Sequence, residues 1–122
     1  MAEFDMVVGD LESSQRGSGA RANSGKAQLH QIPLFALDGV AQVLMYGEKK
    51  YKKGNWAKGM AWSIPFDCAL RHLSAWQAGE ELDAESGQPH LDHALANLIF
   101  LSAYRKLYPE GDDRIMEFRG IE

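Results

Sequence analysis

Residues 68–104 read CALRHLSAWQAGEELDAESGQPHLDHALANLIFLSAY. The two ends, CALRHLSAW and ALANLIFLSAY, carry apolar residues at helical spacing. The middle, GEELDAESGQPHLDH (79–93), holds five carboxylates (Glu80, Glu81, Asp83, Glu85, Asp92) and two histidines (His90, His93), with no Lys or Arg. Helix, acidic connection, helix is the frame on which the rest of the chain is read. The helix before the connection is expected to start after Ser63, a capping residue, with Pro65 in its first turn. Phe66, Ala69, Leu70, Leu73 and Trp76 form its apolar stripe, and Gly79 is its stop signal. The helix after it starts near Pro89. Leu91, Leu95, Leu98, Phe100 and Leu101 line it, Arg105 and Lys106 suit its negative C-terminal end, and Pro109 and Gly111 close it.

Upstream, Pro33 suits the first turn of another helix, running to about Lys50 with Leu37, Val40, Ala41 and Leu44 at i, i+3, i+4, i+7. Gly47 within it costs about 1 kcal/mol relative to Ala, so a reason for it is expected. GNWAKGMAW (54–62) reads as a loop. DDRIMEFRG (112–120) is read as a short last helix capped by Asp112. No strand pattern competes. The expected fold is all-α, a small helical bundle of three to four helices. A long N-terminal arm (residues 1–27) precedes the helical domain (28–122). The arm's ESSQRGSGARANSGK (12–26) holds four Ser, three Gly and three basic residues. It reads either as a flexible arm or as a Gly/Ser loop whose N–H groups, with Arg21 and Lys26, touch a phosphate.

The totals narrow the function. A chain of 122 residues, 45% hydrophobic and 25% charged, suits one globular domain. A net charge of −4 carries no overall footprint for DNA, RNA or an anionic membrane. No apolar run reaches the ~20 residues that span a bilayer, and the N-terminus lacks a secretory signal. One cysteine, Cys68, forms no internal disulfide and is read as a buried core thiol. The expectation is a cytoplasmic protein.

The acidic connection needs a partner. Like charges ~5 Å apart repel by about 3 kcal/mol at an effective dielectric near 20, and a divalent cation turns that repulsion into attraction. Hard cations take oxygen ligands. Glu80 and Asp83 share a face if the helix runs past Gly79. Glu85 follows as a loop acid, and His90 and His93 project together with Asn97 one turn on. The spacing fits neither an EF-hand loop nor a structural zinc site. A solvated acidic loop and a hydrogen-bonded core histidine remain open for these residues, as do supporting or phosphate-donor roles for the histidines. The charge inverts in GEKKYKKGNWAK (47–58), where five lysines interleave with Tyr51 and Trp56. Arg71 and His72 follow on the next helix. Lysines with aromatics beside a carboxylate cluster suit a nucleoside polyphosphate; a solvated helix end is the plainer reading of Lys52 and Lys53.

The order SGARANSGK, LHQIP, YGEKKY, NW, LRH, W, GE, D, ESG, PH, H and N, across about residues 17–105, resembles the dATP/dGTP diphosphohydrolase, N-terminal family. That family is related to the MazG-like all-α NTP pyrophosphohydrolases, with phage MazZ-type enzymes the nearest picture. The resemblance implies a helical bundle that hydrolyses a purine (deoxy)nucleoside triphosphate, dGTP or GTP or dATP, to the monophosphate and pyrophosphate. It implies two or more Mg²⁺ or Mn²⁺ ions and a homo-oligomer, dimer or tetramer. A phage nucleotide-pool role, including dGMP supply for 2-aminoadenine DNA, follows from the same picture. The family's GE-x-x-D-x-ESG-x-x-H-x-x-H pattern is intact here. Glu80, Asp83 and Glu85 are therefore expected to be catalytic, and these three with His90 and His93 to hold metal. Arg21, Lys26, Lys50, Tyr51, Asn55, Trp56, Arg71, His72 and Asn97 are the expected substrate contacts. The superfamily's EExxE and ExxD metal motifs are replaced here by His72–Trp76–Glu80 and by HLDH. Two rivals stand beside the enzyme: a non-catalytic divalent-metal or nucleotide-binding module, and a helical interaction protein.

Overall fold

The computed structural model describes residues 16–115. The expected last helix falls partly on 116–120, outside the described residues, and 112–115 are not helical. By contacts the chain divides into two units, Met1–Pro33 and Leu34–Glu122. In the described part of the first, Lys26 N–H closes a turn on the Asn23 carbonyl at 3.2 Å, and Leu29–Gln31 form one 3₁₀ turn.

The second unit holds three α-helices among the described residues: α1 (Leu34–Lys50), α2 (Ser63–Gln77) and α3 (His90–Leu107). α3 packs on both of the others. The buried side chains are small: Val40 and Val43 on α1, Ala69 on α2, Ala94 and Ala96 on α3, with Tyr104 as the one large aromatic. Small residues let the axes approach closely. At Gly39 a Cβ would lie 2.1 Å from an Asp92 carboxylate oxygen, so this glycine admits the first turn of α3 against α1. Asp92 packs there.

The apolar stripes sit rotated from their sequence reading. On α1, Val40 and Val43 are buried while Leu44 is 37% exposed. On α2 and α3, Phe66, Leu70, Trp76, Leu91, Leu95 and Leu98 are all more than a third exposed. Three helices offer few neighbours, so only a narrow seam of each is covered. Cys68, expected in the core, is half-buried.

Ends are tied by distant partners. The Asp113 carboxylate accepts from Ser63 N–H (2.9 Å) and Oγ–H (2.6 Å), so α2 begins at Ser63 and is capped from the far end of the unit. Its C-terminus closes as expected at Gly79 (φ 100°), where Glu80 N–H reaches Ala75 O and Gly79 N–H reaches Trp76 O. α2 therefore stops before Glu80, and Glu80 and Asp83 do not share a helical face. The fully buried Tyr104 donates to the Trp56 carbonyl at 2.6 Å and anchors the 3₁₀ turn Asn55–Lys58.

Candidate metal and nucleotide site

One cleft of about 1020 Å³ opens among the C-terminal half of α1, the loop after it, α2, the 78–89 connection and α3. The connection is a small folded loop. Leu82 and Pro89 form an antiparallel bridge, Asp83 N–H bonds Gln88 O at 2.8 Å, and His90 N–H bonds Glu81 O at 2.9 Å. Gly87 turns with φ 74°, and its N–H returns to Asp83 O. The Asp83 carboxylate accepts Ser86 N–H at 2.8 Å, and Ser86 Oγ lies 2.6 Å from His93 Nε2. The loop is thus pinned to the first turn of α3 through Asp83 and Ser86, while Glu80, Glu81 and Glu85 stay exposed.

Three imidazoles meet behind this loop. His72 and His93 stack, with centroids 4.3 Å apart and planes 5° from parallel. His72 Nδ1 lies 2.8 Å from His90 Nδ1, and His90 Nε2 lies 2.6 Å from Glu80 Oε1. Ligand atoms of His72, Asp83 and His90 all fall within 4.8 Å of one another, a spacing that can hold a metal ion. Burial pushes the His72 pKa down, with His93 adding to it. Burial likewise lowers His93, against Asp83, which raises it. Both rings are therefore kept neutral, the state a metal ligand needs. Burial raises the Asp83 carboxyl, but the Ser86 N–H and hydroxyl with the nearby imidazoles outweigh it, and the pKa ends below its ordinary value.

Glu85 sits apart on the rim. It accepts from Lys50 Nζ at 2.8 Å and from Tyr46 OH at 2.7 Å, and these two bonds, Lys50 first, hold its pKa down. Tyr51, Asn55, Trp56 and Arg71 also line the cleft, and Lys50 Nζ lies 5.8 Å from the Tyr51 ring centroid. Trp56 already stacks on Phe100, centroids 4.8 Å apart, so one ring face is taken. Asn97 Nδ2 donates to His93 O at 2.8 Å and approaches Cys68 Sγ at 3.4 Å.

Of the residues expected from sequence, Asp83, Glu85, His90, His93, Lys50, Tyr51, Asn55, Trp56, Arg71, His72 and Asn97 line this one cleft. Glu80 is outside the lining and bonds His90 from its far side. Arg21 and Lys26 belong to the first unit, where Arg21 borders a small depression with Gly19, Ala20 and Asn23. Tyr46 and Cys68 are among the lining residues that were not singled out for the site. Tyr46 stands one helical turn before Lys50, which was the available signal. Gly47 lines the cleft, but a Cβ there would meet nothing within 4 Å, so the expected steric reason for this glycine is not found.

Comparison with known proteins places the chain in a family. The family described as dATP/dGTP diphosphohydrolase, N-terminal matches residues 16–114. A protein named dATP/dGTP diphosphohydrolase from Salmonella phage PMBT28 is 33% identical over 97 residues, 80% of this chain and 33% of that protein. The chain thus spans about a third of the length of this curated relative. No solved structure matches significantly. No helix among the described residues is long and apolar enough to cross a membrane. With nearly all of its described residues matched and the GE-x-x-D-x-ESG-x-x-H-x-x-H segment folded into one wall of the cleft, the chain belongs to the dATP/dGTP diphosphohydrolase, N-terminal family.

Proposed function

We propose that this chain is a divalent-cation-dependent pyrophosphohydrolase of purine (deoxy)nucleoside triphosphates, releasing the monophosphate and pyrophosphate. One observation carries the reading: a single cleft combines the His72–Asp83–His90 donor set with Lys50, Arg71 and two aromatic rings. The donors fit a divalent ion, since two imidazole nitrogens and a carboxylate suit Mn²⁺ and leave Mg²⁺ one hard oxygen ligand. When bound, the ion neutralises phosphate charge and makes a bound water more acidic.

The chain's own groups do the rest. Arg71 and Lys50 face the phosphates as fixed positive charge. Tyr51, and the free face of Trp56, are apolar platforms for a base. Asp83 and Glu85, held ionised at neutral pH, are good hydrogen-bond acceptors and weak proton acceptors. They therefore orient the water for in-line attack on the α-phosphorus; the α–β bond breaks, its bridging oxygen leaves with pyrophosphate, and the water's proton passes to solvent. Lys50 is bonded to Glu85 here, so engaging a triphosphate exchanges one anionic partner for another. The exposed leucines of α2 and α3 support a homo-oligomer.

The test is a panel of all eight (d)NTPs with Mg²⁺ and Mn²⁺ and identified products. Monophosphate and pyrophosphate are expected, with a purine preferred; Asp83→Asn should slow turnover by ~10²-fold or more with the helical CD spectrum kept. Release of inorganic phosphate instead, or no turnover, sinks the reading. A second reading is a non-catalytic nucleotide-binding module using the same cleft. It predicts calorimetric binding of the same triphosphates with no product.

A further inference from the structure

His90 is the most buried histidine of the described second unit, 4% exposed, and both of its ring nitrogens are engaged. A carboxylate at neutral pH only accepts hydrogen bonds, so the Glu80 contact at 2.6 Å calls for a proton on His90 Nε2. A neutral imidazole then has a bare lone pair on Nδ1. That lone pair points at His72 Nδ1, 2.8 Å away, and Asp83 lies in the same cluster. Without a cation, the 2.8 Å contact holds one proton between the two Nδ1 atoms, and with His90 neutral that proton is His72's. A cation taken by both Nδ1 atoms would leave the His72 proton on Nε2. Only His72 has to change; His90 is already set.

We propose that Glu80 is a positioning residue that locks His90 in its Nε2–H tautomer, so that His72 and His90, with Asp83, form a two-nitrogen clamp selective for a nitrogen-accepting cation such as Mn²⁺ or Zn²⁺ over Mg²⁺. This rests on the cleft's reading as a metal site and gives Glu80 a role away from the metal. Imidazole ligands suit borderline cations, whereas Mg²⁺ favours oxygen and gives up water reluctantly. A carboxylate behind a ligating histidine fixes its orientation and raises its basicity, and removing it costs 10–100-fold in affinity. Glu80 is suited to test because its side chain is 57% exposed and supports no core packing.

The experiment is ¹⁵N NMR of the imidazoles in the full chain, metal-free and with Zn²⁺, joined to calorimetric titration with Mn²⁺ and Mg²⁺. In the metal-free protein His90 should be protonated on Nε2 and bare on Nδ1, with His72 protonated on Nδ1. Zn²⁺ should switch His72 to Nε2–H and leave His90 unchanged. Mn²⁺ should bind at least tenfold more tightly than Mg²⁺. Glu80→Ala should mix the His90 tautomers and weaken Mn²⁺ binding 10–100-fold, with Glu80→Gln, which still offers an acceptor oxygen, in between. A proton on His90 Nδ1 in the wild type, equal affinity for the two ions, or unchanged affinity in Glu80→Ala overturns the proposal. None of these readouts needs turnover. An inactive triphosphate panel with the tautomers as stated defeats the hydrolase alone, and an active panel with His90 Nδ1–H defeats this inference alone.

Discussion

Tyr104 connects the core to the cleft through one atom. Its ring is fully buried and its hydroxyl donates to the Trp56 carbonyl at 2.6 Å, which fixes the turn bearing Asn55 and Trp56. Tyr104→Phe removes the donor and leaves that carbonyl unpaired in a part-buried site. Stability should fall by about 1–2 kcal/mol, read as a lower urea midpoint at unchanged slope. An unmoved midpoint would show that water replaces the hydroxyl. Nothing in the sequence marks Tyr104, because its partner is a backbone atom 48 residues away. The acids of the 78–89 connection were legible by charge and pattern. Their division of labour was not: Glu80 reaches His90, Asp83 accepts from Ser86, and Glu85 is held by Lys50 and Tyr46. Those assignments depend on where α2 ends, since the Gly79 cap turns Glu80 off the helical face it would have shared with Asp83 had the helix run on.

At the scale of elements, α2 and α3 meet through stacked imidazoles, and the contact has a pH signature. Burial holds His72 and His93 below their unfolded pKa of ~6.5. As pH falls through that value the unfolded chain binds protons that the folded chain does not, so stability drops on acidification. Above about pH 7.5 both states are neutral and the contribution is constant. Asp83 and Glu85, lowered in the fold, add stability above the ordinary carboxylate range that is lost only as pH falls through their folded values. Denaturant midpoints should therefore be flat from pH 8 to 7.5, decline below pH 7 and decline further below pH 4. A midpoint that rises between pH 7 and 6 would contradict the neutral stacked pair. Helix positions themselves were readable from Pro33, Pro65, Gly79 and Pro89, because local chemistry sets helix ends. The capping of α2 by Asp113 was not, being a contact across 50 residues.

At the scale of the whole molecule, the main departure from the sequence reading is how little of the apolar surface the described unit covers. Phe66, Leu70, Leu91, Leu95 and Leu98 stay more than a third exposed, while alanines and valines fill the seam. A second copy that covers these faces accounts for both facts, and sedimentation equilibrium at micromolar concentration should report a dimer or tetramer. A monomer at every concentration would leave that surface to another partner. The sequence by itself determined that the chain is helical, where the three described helices lie, and that acidic and basic segments of a nucleotide-handling family are present in order. Periodicity, prolines and glycines act over a few residues, and composition needs no geometry. Only the tertiary structure decided which face of each helix is covered, that the 47–58 and 79–93 segments line one cleft, and that His72 of α2 meets His90 of α3 nitrogen to nitrogen. Those outcomes depend on interhelical distance and rotation, fixed by small-residue packing at Gly39, Ala69, Ala94 and Ala96, which no local pattern encodes.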